Sequence, residues 1–193
     1  LAVGGLPDGI VDTDMLADNA VTEAKTPLNT ITHYDSWRLT ANSTDEDEDP
    51  LGSVTSLERA IDDNTDRPGF GTFGAPMTNS SGIFTFPVTG YWRVEFQAMI
   101  SCGNASSNAD TKIAVTVDGG SNWEPLSRSQ GSVNDDGSNQ VYGSNYCSLV
   151  VDVTNVNDVK VKFMVFQEDT AAVILGNGDY SRTCMMFTRL GNT

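Results

Sequence analysis

The sequence is poor in basic residues and holds a single histidine. Its 193 residues include 11 Lys and Arg against 26 Asp and Glu, so the formal net charge is −15 at pH 7. A surface with this excess of negative charge repels the phosphates of nucleic acid and the headgroups of anionic lipid. We therefore expect no nucleic-acid partner and no binding to anionic membrane surfaces.

Cysteine and long apolar runs are also scarce. The three cysteines, Cys102, Cys147 and Cys184, are odd in number and form no CxxC pair, which does not fit a disulfide framework. Uncharged apolar runs, such as residues 163–166, fall far below the roughly 18–20 residues that a membrane-spanning helix needs. We therefore expect no membrane insertion.

The sequence lacks a complete set of residues for the common kinds of catalytic site. His33 is the single histidine, so a zinc site made of several histidines from one chain is excluded, and a Ser-His-Asp triad would have to form around this residue. No pair of acidic residues is marked out by an aromatic cleft, as the two carboxylates of a glycosidase would be. We predict that the protein is not an enzyme, and we name no catalytic or cofactor-binding residue. His33 is expected to lie in the connection between two segments, where a symmetric trimer would bring three copies together.

Short alternating segments make up most of the chain. From Asp35 onward they are separated by clusters of Gly, Asn, Ser and Asp, a pattern typical of an antiparallel sandwich or barrel. The last such segment is apolar on both faces, which indicates a subunit interface or irregular filling of one core by Met185 and Met186. We predict an all-β head over residues 35–193, with a first strand at 36–40, an acidic loop at 45–50, one short helix at 55–61 and a last strand at 183–190.

Residues 1–34 differ from the rest of the chain. They contain a near-repeat with an offset of ten residues, in which residues 9–16 match residues 19–26. Neither copy could bury its apolar side alone, so each needs a neighbouring repeat or an identical chain. We predict an anchor or stalk arm over residues 1–34, with a flexible tether as the alternative. Because Leu1 is not followed by a signal-like segment, we expect the chain to begin inside a longer product or after processing.

A motif around one proline and two glycines precedes the strand at 92–98. It reads Gly82-Ile83-Phe84-Thr85-Phe86-Pro87-Val88-Thr89-Gly90-Tyr91-Trp92-Arg93-Val94-Glu95-Phe96. This segment resembles the signature of the tumour-necrosis-factor-like family, and in particular its complement-q-type globular heads, although Val94 stands where an aromatic residue is usual. The resemblance implies a ten-strand antiparallel jelly-roll sandwich that assembles as a homotrimer. Pro87 is expected to end an edge strand, and Gly90 to allow a tight turn.

The arm carries a second motif. It reads Asp8-Gly9-Ile10-Val11-Asp12-Thr13-Asp14-Met15-Leu16-Ala17-Asp18-Asn19-Ala20-Val21-Thr22. This segment resembles the stalk and anchor segments of bacteriophage fibres, with Asp12 and Asp14 in place of smaller residues. The resemblance implies that the arm binds other virion proteins.

Two polar features have both a structural and a functional interpretation. Residues 116–123 fit the Asp-box pattern Ser/Thr-x-Asp-x-Gly-x-x-Trp once. Because a propeller needs repeated blades, we predict a hairpin turn in which Asp118 accepts amide hydrogen bonds, rather than sugar chemistry. The acidic runs at 45–49 and 135–136 lack the spaced ligands of a calcium loop, so we expect solvated loops, with a low-affinity Ca²⁺ site as the alternative and no metal ligand named.

The two motifs together predict a structural virion protein of a bacteriophage. It would be a homotrimeric fibre or capsid decoration protein, assembled in the host cytoplasm, whose jelly-roll knob is displayed for host attachment. Polar loops at 42–50, 104–110 and 131–140 are expected to meet a receptor, for which a host-surface glycan is the expected class, or to cover the capsid. A secreted complement-type recognition domain is the first alternative, and a small carbohydrate-active enzyme is the second.

Overall fold

The structure is a computed structural model. It describes residues 31–44, 47–53, 56–60, 72–102, 107–134, 137, 140–168 and 172–193. Within it, Ile31–Thr193 make up one unit. The near-repeats of the arm lie outside the described residues, so they remain a prediction, as does the boundary at residue 34.

Twelve strands run through the described residues. They are β1 (Tyr34–Leu39), β2 (Asp47–Glu48), β3 (Leu57–Arg59), β4 (Thr78–Ser80), β5 (Ile83–Thr85), β6 (Gly90–Cys102), β7 (Ser107–Thr116), β8 (Glu124–Val133), β9 (Val141–Val153), β10 (Lys160–Gln167), β11 (Ala172–Ile174) and β12 (Cys184–Gly191).

The strands form two antiparallel sheets that pack face to face. The first sheet has the order β6-β12-β1-β3, with β9 and β11 also paired to β6, and the second has the order β4-β5-β10-β7-β8, with β2 beside β10. No part of the chain that the structure describes is helical, and accordingly none of it forms a helix able to cross a bilayer. The predicted all-β jelly-roll sandwich is confirmed. The described residues hold twelve strands rather than the expected ten, and the shortest, β2, pairs with the end of β10.

The core lies between the sheets because alternate side chains of each strand face inward. In β6, Trp92, Val94 and Phe96 are buried, whereas Arg93 and Gln97 between and beyond them are exposed. The sequence shows the same alternation, with apolar residues at 92, 94 and 96 and polar residues at 93, 95 and 97.

Phenylalanine rings from both sheets meet at the centre of this core. The ring centroids of Phe84 on β5 and Phe163 on β10 lie 5.5 Å apart. Phe187 on β12, in the opposite sheet, lies 5.1 Å from Phe84 and 5.9 Å from Phe163. Each such pair contributes about 0.5–1.5 kcal/mol beyond the burial of its surface. The rings therefore join the two sheets directly.

The motif at residues 82–96 carries the chain from the second sheet to the first. Gly90, where β6 begins, has a φ of 136°, and a Cβ there would lie 2.3 Å from the backbone oxygen of Gly191. Only glycine fits this position. The expectation that Pro87 ends an edge strand is wrong, because β5 lies between β4 and β10. Pro87 follows the end of β5 by two residues, so its missing N–H removes no hydrogen bond from the sheet.

Two local predictions are corrected by long-range pairing. The helix predicted at 55–61 is wrong over its described part, where β3 pairs with β1 and places Arg59 opposite Trp37. The acidic run at 45–50 is not wholly a loop either, because β2 pairs with the end of β10. Glu48 is buried there and accepts hydrogen bonds from Ser43 Oγ at 2.5 Å and the backbone N–H of Gly52 at 2.9 Å. Asp45 and Glu46 lie outside the described residues.

A buried carboxylate explains why residues 57–59 form a strand. Asp35 on β1 is 1% exposed and accepts hydrogen bonds from Arg59 Nε at 3.0 Å, Trp37 Nε1 at 3.1 Å and the backbone N–H of Met77 at 2.9 Å. The Arg59 guanidinium also lies 4.7 Å from the centre of the Trp37 ring. Asp35 thus joins β1, β3 and the segment leading into β4, and these contacts outweigh a weak local preference for helix.

Replacing this carboxylate should destabilise the head strongly. In Asp35→Ala, the Arg59 guanidinium and the Met77 amide lose their buried acceptor, so we expect the free energy of unfolding to fall by about 3–5 kcal/mol. Urea unfolding of the variant and the unmodified chain measures the difference. Asp152→Ala, which removes an exposed carboxylate from β9, is the matched control and should stay within about 0.5 kcal/mol. Equal small effects would contradict the assigned role of Asp35.

Candidate functional site

The head has two ends, which the strand register distinguishes. At the first, here called the arm end, residues 31–33 lead into β1, and the backbone N–H of Arg189 donates to the His33 carbonyl at 3.0 Å. At the second, here called the loop end, β1 finishes at Leu39 and β6 finishes at Cys102, opposite Val141 of β9.

The three loops predicted to meet a receptor border on the loop end. Ser43 pairs with Ile174 there, and Ser107 at the start of β7 lies opposite Val133 at the end of β8. Parts of these predicted loops are strands, namely β2, the start of β7 and the end of β8. Residues 45–46, 103–106, 135–136 and 138–139 lie outside the described residues, so the receptor role of the loops stays a prediction.

The solvent-facing side of the first sheet, here called the outer face, is formed by the alternate residues that point away from the core. On β6, these include Arg93, Glu95 and Gln97. The register with β9 sets Val150 opposite Arg93 and Tyr146 opposite Gln97. The outer face is therefore continuous across β6 and β9.

Large side chains remain exposed along β9 on the outer face. Tyr142, Tyr146 and Val150 are 57%, 47% and 57% exposed. Tyr91, at the start of β6, is 43% exposed. A row of exposed aromatic and apolar side chains on one sheet face is typical of an interaction surface. The sequence contains a signal for this row, because the apolar Cys147, Leu149 and Val151 alternate along the strand, and a core on their side leaves the even-numbered residues of β9 outside.

The last strand contributes apolar side chains to both faces, as its sequence predicted. Met185 and Phe187 are fully buried in the core. Met186 is half-buried on the outer face, opposite Glu95. Cys184, on the same side as Met186, is nearly buried, and burial together with the nearby Glu95 carboxylate raises the pKa of its thiol.

A charged cluster lies among these apolar groups. Arg93 Nη2 lies 3.0 Å from Glu95 Oε1 and donates to Tyr146 Oη at 3.2 Å. Tyr146 Oη donates to the same Glu95 oxygen at 2.5 Å. The hydrogen bond to Tyr146 and the charge of Glu95 raise the pKa of Arg93 above its ordinary value. Sequence reasoning missed this cluster, since residues on β6 and β9 meet only through the register of the folded sheet.

The Asp-box residues form the predicted hairpin turn between β7 and β8. Asp118 accepts hydrogen bonds from the backbone N–H of Asn122 at 2.9 Å and from Thr116 Oγ1 at 2.7 Å. These bonds hold the pKa of Asp118 well below its ordinary value. Gly119 and Gly120 both have positive φ, and Trp123 Nε1 donates to the Gly120 carbonyl at 3.1 Å. Every part of the motif serves the turn.

The cysteines and acidic residues add no recognisable reactive centre to the described part of the chain. Cys102, Cys147 and Cys184 are buried, and burial raises the pKa of the Cys147 thiol to about 11, which disfavours the reactive thiolate. Among the described residues, no three His, Cys, Asp or Glu side chains come together as a metal site. The Ca²⁺ alternative therefore has no assigned ligands and stays a prediction.

Comparison with known proteins defines the fold. No family model and no curated protein matches the chain. Solved structures similar to it include the TNF Eiger from S. frugiperda, with a TM-score of 0.59 at 11% identity over 85% of this chain and 96% of that one. Murine APRIL at pH 5.0 gives a TM-score of 0.53 at 14% identity over 82% of this chain and 98% of that one. The head therefore has the TNF-like jelly-roll fold.

His33 lies at the arm end, as expected from its place before the first strand. Its ring is 5.6 Å from that of Trp92, and its Nδ1 lies 2.9 Å from Thr32 Oγ1. A Cβ on Gly74 would lie 2.7 Å from the imidazole, so the ring is closely covered on that side. Partial burial and the neighbouring Arg189 lower the pKa of His33 below its ordinary value of 6.5.

This lowered pKa predicts a loss of stability in weak acid. Between the unfolded pKa and the lower folded pKa, the unfolded chain binds more protons, so stability should decrease as the pH falls below about 6.5. His33→Gln removes this contribution, and the pH dependence of its unfolding midpoint between pH 7.5 and pH 5 should be shallower than that of the unmodified chain. Parallel curves for the two proteins would show that His33 does not contribute.

Proposed function

We propose that the protein is a homotrimeric virion component of a bacteriophage, a fibre or capsid decoration protein that acts by binding rather than by catalysis. The outer face of the first sheet joins the copies, the N-terminal arm holds other virion proteins, and the loop end is displayed for a receptor. A host-surface glycan is the proposed class of receptor.

The exposed row on β9 is the observation that supports self-association best. Tyr142, Tyr146 and Val150 place three large side chains on a strand that needs none of them for its own core. Removing such surface from water is favourable by roughly 25 cal/mol per Å². In a closed trimer, symmetry covers this row in every copy.

The positions of the two ends support a display role. Ile31, the first described residue, lies at the arm end, while the strands that border the polar loops finish at the other end. A protein held at Ile31 would thus present the loop end outward. The arm motif at residues 8–22 is the feature that favours a bacteriophage protein. The alternative, a secreted complement-type head, is supported by the jelly-roll fold alone.

A charge placed in the exposed row should dissociate the assembly. In Val150→Asp, a carboxylate would have to be buried between copies, so we expect the trimer of about 62 kDa, three times the 20.7 kDa of one chain, to convert to monomer. Light scattering after size-exclusion chromatography gives the molar mass. Circular dichroism should remain that of the folded unmodified chain, because Val150 is 57% exposed.

Leu126→Asp is the matched control for this substitution. Leu126 is 66% exposed on β8 of the second sheet, so the same change of side chain there should leave the trimer intact. Dissociation by both variants, or by neither, would contradict the assignment of the outer face as the contact between copies.

Removing the arm should prevent incorporation into the virion without preventing formation of the trimer. A chain that begins at Ile31 keeps the head as a unit, so we expect it to fold and to form the trimer, but to be absent from assembled particles. Electron microscopy and mass spectrometry of particles purified with either chain test this expectation. Particles that incorporate the shortened chain as well as the full chain would contradict the anchor role of the arm.

A further inference from the structure

The charged cluster of Arg93, Glu95 and Tyr146 lies in the region that the proposed contact would cover. On one side of it, Met186 and Cys184 of β12 lie next to Glu95 and Gln97. On the other side runs the β9 row, with Val150 directly opposite Arg93. A second copy that buries Val150 must therefore also bury the neighbouring charges.

Burying a charge between copies is costly unless the charge is paired. The Arg93 side chain is 49% exposed and that of Glu95 is 17% exposed, so water still solvates the guanidinium in the single chain. A covering copy would remove this water. The two groups already neutralise each other at 3.0 Å, and Tyr146 Oη bonds to both. Neither charge therefore needs a partner from the other copy.

We propose that Arg93, Glu95 and Tyr146 form a charge-neutral lock, which makes self-association depend on the presence of both charges or the absence of both. This inference rests on the proposed function, because it assigns a role to residues within the proposed contact. Tyr146 is the positioning residue of the lock. Its hydroxyl links the two charged groups, while its ring belongs to the apolar row.

A double-mutant cycle tests the lock. Arg93→Met leaves Glu95 as an unpaired charge, and Glu95→Gln leaves Arg93 unpaired. Each single variant should raise the dissociation constant of self-association at least about thirtyfold. The double variant removes both charges and keeps side chains of similar size, so its dissociation constant should return to within about tenfold of the unmodified value. Sedimentation equilibrium of the full chain measures all four constants.

The second sheet offers a matched control. Arg128 Nη2 and Asp110 Oδ2 form an ion pair of 2.6 Å on the far side of the sandwich. Arg128→Met breaks this pair without touching the outer face, so it should leave the dissociation constant unchanged. Circular dichroism and thermal unfolding of each variant establish that the comparison is made between folded proteins.

The outcomes separate the lock from the function on which it rests. Two outcomes would overturn the lock and leave the self-associating head in place. In one, the single variants keep the dissociation constant of the unmodified chain. In the other, the fold increase in the double variant equals the product of the fold increases in the two single variants. A large rise of the dissociation constant in Arg128→Met would overturn the lock as well. An unmodified chain that stays monomeric at every concentration would overturn the proposed function and the lock together.

Discussion

A strand in a sandwich can turn only one of its faces toward the core, and this constraint decides what the rest of the molecule must do. In this head the core side is filled by rings from both sheets, with Phe84, Phe163 and Phe187 within 5.9 Å of one another. Apolar side chains beyond those the core requires must lie outside, where water or another molecule covers them. The outer face holds such a surplus.

The two sheets use their solvent-facing sides differently. On both sheets the cations have partners within the chain, Arg93 with Glu95 on the first and Arg128 with Asp110 on the second, so the sheets differ in their apolar side chains. The exposed Leu126 and Phe166 of the second sheet lie on different strands and form no row. The first sheet instead carries three large exposed side chains along β9, Tyr142, Tyr146 and Val150, with the small Ser144 and Ser148 between them. This asymmetry is why the proposed contact is assigned to the first sheet.

Features that depend on short spacing could be predicted from the sequence. Alternation along residues 92–98 fixed which side of β6 is buried, and the turn at Asp118 needs only residues within one hairpin. Predictions failed where a distant partner decides the outcome. Residues 57–59 form a strand because Arg59 reaches Asp35, and Glu48 is buried because β2 pairs with β10. The contact of Glu95 with Tyr146 joins residues 51 positions apart, so it depends on a register that only the folded sheet defines.

Sedimentation equilibrium of the unmodified full chain over a wide dilution series tests the central claim most directly. If the outer face is covered by other copies, the limiting molar mass at high concentration is about three times 20.7 kDa. On dilution the molar mass falls to that of one chain, and a single dissociation constant describes the whole series. A molar mass of one chain throughout the series, with the head folded and β9 exposed, would contradict the account.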